Sequence, residues 1–199
     1  KRQGMLAWLY DEDRWPSGFA GGAVPAQGDE CKAKALVMEV KNEVFAPTGK
    51  ELAIFVAKLD GEKLLSAERV CVGCCNCEVE LEKGEVCLVF TLEISGTSDW
   101  WNGGTYSDNL SPVSVQAFIE TTYEAYKREV GAEFGKTVPG IFTDEPNIGG
   151  FIPTRKGLRH IPWTTVLVDF FKERRGYDIL DKIPAFFYEC KDSPVVRHD

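Results

Sequence analysis

Two apolar runs that each end in a pair of acids are the feature that most constrains the fold. Residues 4–10 lead into Asp11 and Glu12, and residues 138–143 lead into Asp144 and Glu145. A continuous apolar run suits a strand buried on both faces, as in a parallel sheet. The sequence therefore predicts two buried parallel strands that deliver their acids to one edge, at residues 11–12 and 144–145.

The segment between these runs has a different character. Residues 31–96 contain several short runs that alternate apolar and polar side chains, as half-buried strands do. Glycine-containing turns separate the runs, and Asp60-Gly61 is a hairpin signal. We therefore expect an inserted antiparallel β-domain over residues 31–96.

Helical patterns follow the insertion. Ser111 and Pro112 are typical of a helix N-cap and first turn, and the apolar spacing extends that helix to about residue 130. A second amphipathic helix is predicted over residues 162–175, before Gly176. Without the insertion, the order is one of repeating β-α units, which predicts an α/β fold.

The expected architecture is a partial (β/α)8 (TIM) barrel formed by residues 1–30 and 97–199. A complete barrel needs ~200 residues or more, and only about 130 remain outside the insertion. We therefore expect a fragment, with both ends cut from a longer protein. A doubly wound sheet is the alternative, but Gly18, Gly21 and Gly22 do not match a dinucleotide-binding loop.

Charge and cysteine content limit the partners. A formal net charge of -8 disfavours nucleic acid and anionic membranes as partners. Seven cysteines, four of them between Cys71 and Cys77, do not resemble a disulfide framework and favour free thiols in the cytoplasm. A zinc site at Cys71 and Cys74 is the alternative, although the second half of the usual ligand set is missing. We expect no cofactor.

The acids suggest hydrolytic chemistry. Glycoside hydrolysis uses two carboxyl groups, one to protonate the leaving oxygen and one to attack or to activate water. Side-chain alternation turns Glu145 towards the mouth of the site and leaves Asp144 to orient a neighbour. The simpler alternative is that such acids are solvated loop residues or helix caps, and Asp108 in particular precedes a helix.

Two segments resemble a group of large bacterial glycosyl hydrolases that look related to α-L-rhamnosidases with a (β/α)8 catalytic domain. The segments are residues 8–22 (WLYDEDRWPSGFAGG) and 139–147 (PGIFTDEPN). Residues 111–124 and 162–178 are also similar, so the likeness covers most of the chain outside the β-insert. The acidic segments are the more specific part, and the helices are not specific.

The resemblance implies a glycosidase with a carbohydrate substrate, with Glu145 as general acid or acid/base. Further site residues are expected around it: Asp144 in catalysis, and Asp11, Glu12, Trp15, Trp101, Asp108 and Asn147 in substrate binding. The rest of a parent chain, or self-association, is expected to complete the barrel. The alternative function is a non-catalytic carbohydrate-binding or structural module.

Overall fold

The computed structural model describes residues 3–70 and 78–199, and these form two compact units. Unit 1 is built from the described parts of Lys1–Ala35 and Ile94–Thr154, and unit 2 from those of Leu36–Glu93 and Arg155–Asp199. Seven strands are present in the described ranges: β1 (Leu9–Tyr10), β2 (Lys34–Lys41), β3 (Glu51–Asp60), β4 (Lys63–Val70), β5 (Val86–Ile94), β6 (Ile141–Phe142) and β7 (Arg159–Trp163).

Helices are short throughout the described ranges. The α-helices are α1 (Pro112–Phe118), α2 (Glu124–Val130), α3 (Leu167–Arg175), α4 (Pro184–Phe187) and α5 (Ser193–His198). A π-helical segment, Ile119–Tyr123, joins α1 to α2. Single 3-10 turns lie at Ala20–Gly22, Pro25–Gln27, Asp29–Cys31, Asp99–Trp101, Gly131–Glu133 and Ile179–Asp181. None of the helices within residues 3–70 and 78–199 is long and apolar enough to cross a membrane.

Unit 2 is organised around a five-stranded sheet. The strand order is β4-β3-β5-β2-β7, and β3 pairs antiparallel with both β4 and β5. Because side chains alternate along a strand, Phe55 packs in the larger core with the C-terminal helices, whereas Ile54 packs in a smaller cluster with Val89. Both sides of the central strands are therefore covered by apolar side chains.

The hairpin signal at Asp60-Gly61 is confirmed. Asp60 pairs with Lys63 across a two-residue loop, and Gly61 takes a φ of 57°. This left-handed conformation costs little for glycine and much more for other residues, which is why such loops select it.

The prediction of a partial (β/α)8 barrel is wrong. The main sheet is antiparallel, and β1 with β6 forms a parallel pair of only two residues per strand. A barrel of this class needs several parallel strands that alternate with helices. Residues 155–199, which were expected to continue the β-α repeat, group instead with the antiparallel sheet in unit 2. The expectation that further chain or self-association completes a barrel assumed this architecture, so it has lost its basis.

The helix predicted over residues 162–175 is wrong in its first part. Residues Arg159–Trp163 form β7 at the edge of the five-stranded sheet, and helix α3 begins only at Leu167. Pro162 lacks an N–H to donate to a sheet, but an edge strand tolerates it. The predicted end of the helix is confirmed, because Gly176 adopts a left-handed φ of 79° directly after α3.

The helix predicted from Ser111 is confirmed at its start. The Ser111 hydroxyl accepts a hydrogen bond from the Ser114 N–H, and Pro112 occupies the first turn. The helical path continues through the π-helical segment to Val130. The π-helical segment was not predicted, and it changes which side chains face the site described below.

Candidate functional site

Strands β1 and β6 bring the two acidic segments of unit 1 to one edge. The strands are parallel, with Leu9 opposite Ile141 and Tyr10 opposite Phe142. Beyond the strands, the Asp11 N–H donates to the Phe142 carbonyl at 3.3 Å, and the Ser17 N–H donates to the Asp144 carbonyl at 2.8 Å. Residues 11–17 therefore lie alongside residues 142–144, as the sequence pattern predicted. The prediction that both strands are buried is wrong, because β1 is only half-buried and Phe142 of β6 is 54% exposed.

Asp11 is buried and receives three hydroxyl hydrogen bonds. Its Oδ1 accepts from Ser17 at 2.6 Å, and its Oδ2 accepts from Thr143 at 2.6 Å and from Tyr123 at 2.7 Å. The side chain is 2% exposed. Asp11 was expected to bind substrate, but its carboxylate is directed into the protein and joins the two acidic segments to the helical segment.

Tyr123 reaches this network from the last position of the π-helical segment. Its hydroxyl also lies 2.8 Å from the Thr143 hydroxyl. One turn further on, Tyr126 donates to the Tyr10 carbonyl at 2.7 Å. The wider π-helical turn rotates the side chains that follow it, so it helps to set the position of these two tyrosines over the strands.

Glu12 is held by five backbone N–H groups. Its Oε1 accepts from Asp13 and Gly21 at 3.0 and 2.7 Å, and its Oε2 accepts from Gly18, Phe19 and Ala20 at 3.2, 3.0 and 2.7 Å. Burial raises the pKa of Glu12, whereas the backbone N–H groups favour the carboxylate form and oppose that shift. Glu12 therefore shapes the loop of residues 13–21 and does not face the solvent, where substrate binding was expected.

Glu145 is exposed, unlike the two acids of the first segment. Its Oε2 accepts a hydrogen bond from the Trp15 indole N–H at 3.0 Å. Its backbone φ is 45°, a left-handed conformation that costs a non-glycine residue about 1–2 kcal/mol. Strain of this kind is often found where a side chain has to be presented in one direction for function.

Asp144 is only partly exposed and faces a different neighbour. Its Oδ2 accepts the Tyr10 hydroxyl at 3.0 Å, and its N–H donates to the Ser17 hydroxyl at 2.9 Å. Burial and the bond to Asp144 raise the pKa of Tyr10, so the tyrosine remains a donor at neutral pH. Strand alternation was the basis for separating the two acids, but both lie beyond β6, which ends at Phe142, and the left-handed φ of Glu145 breaks that pattern.

A groove lined by aromatic side chains lies beside Glu145. It has a volume of ≈ 380 Å³ and is lined by Trp15, Pro16, Trp100, Trp101, Asn147, Gly149 and Gly150. Trp15 and Trp100 are 46% and 49% exposed. Their rings meet nearly at right angles, with an interplanar angle of 78° and 6.3 Å between centroids. The groove therefore offers two apolar ring faces next to an exposed carboxylate.

Trp101 forms the floor of the groove. It is 8% exposed and packs against Phe19 and Tyr106. Trp101 therefore lines the groove with only a small exposed surface.

Asn147 is exposed and organises the loop after Glu145. It accepts from the Gly149 N–H at 2.9 Å, and its own carbonyl accepts from the Asn109 amide at 2.9 Å. The side-chain amide of Asn147 remains at the groove wall, where a polar ligand can reach it.

Asp108 lies outside the groove. It is 3% exposed and forms a buried ion pair with Lys34, with 3.3 Å between Oδ2 and Nζ. Its Oδ1 accepts from the Leu110 N–H at 3.1 Å, close to the local capping role that was the alternative interpretation. Of the eight expected site residues, Glu145, Trp15 and Asn147 thus meet at an open surface, and Asp11, Glu12 and Asp108 do not.

Sequence reasoning missed several members of the site. Trp100 was not among the expected site residues, and Ser17, Tyr123 and Tyr10 were not expected as polar partners of the acids. Tyr123 belongs to the apolar stripe of the predicted helix, and only its contact with Asp11, 112 residues away in sequence, shows its polar role.

The cysteine cluster at residues 71–77, where zinc was the alternative prediction, lies outside the described residues. Within residues 3–70 and 78–199, no group of three or more His, Cys, Asp or Glu side chains is arranged to hold a metal ion. Cys31, Cys87 and Cys190 are free thiols. Burial raises the pKa of Cys87 to about 11, so its thiolate is not populated near neutral pH.

Gly150 packs closely against the Tyr106 ring, so a substitution there tests how tightly the groove is packed. A Cβ at this position would lie 2.1 Å from Tyr106 Cδ1, and Tyr106 is fully buried. We expect Gly150→Ala to lower the free energy of unfolding by about 1–3 kcal/mol, as overpacked cores do. Gly149→Ala is the matched control, because its Cβ would meet only Asn147 Oδ1 at 3.7 Å. Equal urea midpoints for the two variants would show that Tyr106 moves aside freely.

The resemblance to glycosyl hydrolases depends on the two acidic segments, and the structure places both beside the groove. Comparison of the chain with protein-family models, with curated proteins and with solved structures finds no match.

Proposed function

We propose that this protein binds a carbohydrate in the aromatic groove and hydrolyses a glycosidic bond there, with Glu145 as the proton-donating carboxylate. The observation that carries the proposal is the exposed Glu145 carboxylate beside the half-exposed rings of Trp15 and Trp100. Sugar rings have apolar faces that stack on indoles and hydroxyl edges that bond to carboxylates and amides. The groove offers both kinds of contact.

Hydrolysis needs a second carboxyl group in addition to the acid. Asp11 and Glu12 are poor candidates, because internal hydrogen bonds occupy their carboxylates. Asp144 is adjacent to Glu145 and partly exposed, so we assign the second role to Asp144. Its bond from the Tyr10 hydroxyl would hold the carboxylate in one orientation.

A second candidate function is carbohydrate binding without cleavage. The hydrogen bond from the Tyr10 hydroxyl to Asp144 favours it, because a carboxylate that is held in this way is less available to attack a sugar or to activate water. Both functions use the same groove, and they differ only in whether the glycosidic bond is cleaved.

The test measures binding and the release of reducing ends on a panel of soluble polysaccharides. We expect Glu145→Gln to keep most of the affinity for a neutral glycan and to lower the rate of hydrolysis by about a hundredfold, because a general acid contributes at least that much. Trp100→Ala should weaken binding itself. Glu68→Gln, at an exposed acid in unit 2, is the control for the loss of one negative charge.

The outcomes separate the candidates. Binding that depends on Trp100, without any release of reducing ends by the wild-type protein, would support the binding module. Hydrolysis that survives in Glu145→Gln would remove Glu145 from the chemistry. Absence of binding to every glycan would end both candidates.

We also propose that the protein works in a reducing compartment such as the cytoplasm. The support is that Cys31, Cys87 and Cys190 are unpaired thiols and that two of them are buried. Mass spectrometry of protein purified without reductant and alkylated under denaturing conditions tests this, because all seven cysteines should then be modified.

A further inference from the structure

We propose that the groove prefers a sugar unit that carries a protonated amine, of the hexosamine type, and discriminates against uronic-acid and sulfated sugars. This inference rests on the proposed carbohydrate-binding function and adds the charge class of the ligand. It follows from the two charged side chains beside the Trp15–Trp100 pair, Glu145 and Arg14, and from the contacts that each of them makes.

Glu145 supplies a carboxylate that pairs with no cation among the residues that the structure describes. Its carboxylate accepts the Trp15 indole N–H at 3.0 Å through Oε2. Among the described residues, no lysine, arginine or histidine lies within ion-pair distance of it. A ligand ammonium next to the indole rings would therefore meet an unpaired carboxylate.

Arg14 is a cation beside the groove, and its charge is already engaged. Its guanidinium donates to the carbonyls of Asp99 and Trp100 at 3.3 and 3.2 Å, and it lies 3.9 Å from the Asp13 carboxylate. These contacts direct the guanidinium towards backbone oxygens and an acid. An anionic sugar would have to compete with them to use Arg14.

The aromatic walls favour the same sign of charge. The Arg14 guanidinium lies 5.9 Å from the centre of the Trp100 ring and already makes the cation–π contact there, so a ligand ammonium would have to lie by Trp15 and Glu145. The residues that line the groove are tryptophan, proline, asparagine and glycine, and none of them is charged. The ring faces and Glu145 together give the groove a preference for positive over negative ligands.

The preference should be moderate, because the groove is open to water. An exposed ion pair and an exposed cation–π contact are each worth only a few-fold in affinity. We expect about a five- to tenfold preference for an aminated sugar over its neutral equivalent at low ionic strength. The preference should fall as salt is added, since salt screens exposed charges.

The experiment uses the full chain and three β-1,4-linked hexasaccharides, of glucosamine, glucose and glucuronic acid, measured by calorimetry at about pH 6, where the sugar amine is largely protonated. The glucosamine oligomer should bind most tightly and the glucuronic acid oligomer most weakly. Glu145→Gln should bring the glucosamine affinity down to that of glucose. Glu68→Gln, which removes the same charge elsewhere, should leave the order unchanged.

The outcomes distinguish this inference from the proposed function. If the glucose oligomer binds and Trp100→Ala abolishes binding, the carbohydrate-binding part of the proposed function stands. Equal affinities for the aminated and neutral oligomers, or tightest binding of the glucuronic acid oligomer, would then overturn the charge preference alone. If none of the three oligomers binds, the carbohydrate function and the inference fail together.

Discussion

Replacing Lys34 with methionine should lower the free energy of unfolding by about 3–5 kcal/mol, because it removes the ammonium that pairs with a buried carboxylate. Lys34 Nζ lies 3.3 Å from Asp108 Oδ2, and the two side chains are 4% and 3% exposed. The ammonium also donates to the carbonyls of Glu30 and Lys32 at 3.2 and 3.0 Å. Urea unfolding followed by tryptophan fluorescence measures the change.

A double variant identifies the cause of that loss. Asn at position 108 is neutral and keeps an oxygen for the Leu110 N–H, so Lys34→Met with Asp108→Asn should recover at least ~2 kcal/mol. Lys182→Met is the matched control, because Lys182 pairs with Asp192 at 2.8 Å with side chains 42% and 50% exposed. That exposed pair should contribute less than ~1 kcal/mol. Strictly additive effects at Lys34 and Asp108 would show that the charge pair is not coupled.

Local signals in the sequence were sufficient for several elements. The Ser111 cap and the Asp60-Gly61 hairpin each depend on residues within a few positions of one another, so the chain alone specifies them. Glycine at 176 ended the predicted helix for the same reason.

The elements that failed depend on partners distant in sequence. Residues 159–163 have a local pattern that also suits the start of a helix, and only the open edge of the five-stranded sheet makes them a strand. The barrel failed for a similar reason. The order of strands and helices along the chain is shared by several architectures, and the pairing partners decide among them.

The site was predicted only in part, because several of its contacts join residues that are distant in sequence. The convergence of residues 11–12 and 144–145 follows from parallel pairing of two strands that the sequence did indicate. The inward direction of Asp11 follows from Ser17, Thr143 and Tyr123, and the last two of these lie more than 100 residues away. A single sequence contains no signal for such contacts.

Replacing Glu12 with glutamine should destabilise unit 1 by about 3 kcal/mol and also weaken carbohydrate binding. All five partners of the carboxylate are backbone N–H donors, in the loop from Asp13 to Gly21. A glutamine amide accepts through one oxygen only, and its NH2 group would face donors, so several N–H groups would lose their partner at about 1–3 kcal/mol each. A conservative change at this position is therefore expected to be nearly as harmful as Glu12→Ala.

The effect on binding follows from where the loop is fastened. Glu12 holds the loop at Asp13 and again at Gly18, and Trp15 lies between these two points. Without both attachments, the Trp15 ring loses its fixed place beside Trp100 and Glu145, and the ligand would have to order it on binding. Urea unfolding and calorimetry with a neutral glycan measure the two effects, with Glu68→Gln as the control for charge. A Glu12→Gln protein with the unfolding midpoint and glycan affinity of that control would show that Asp11 and Ser17 hold the loop on their own.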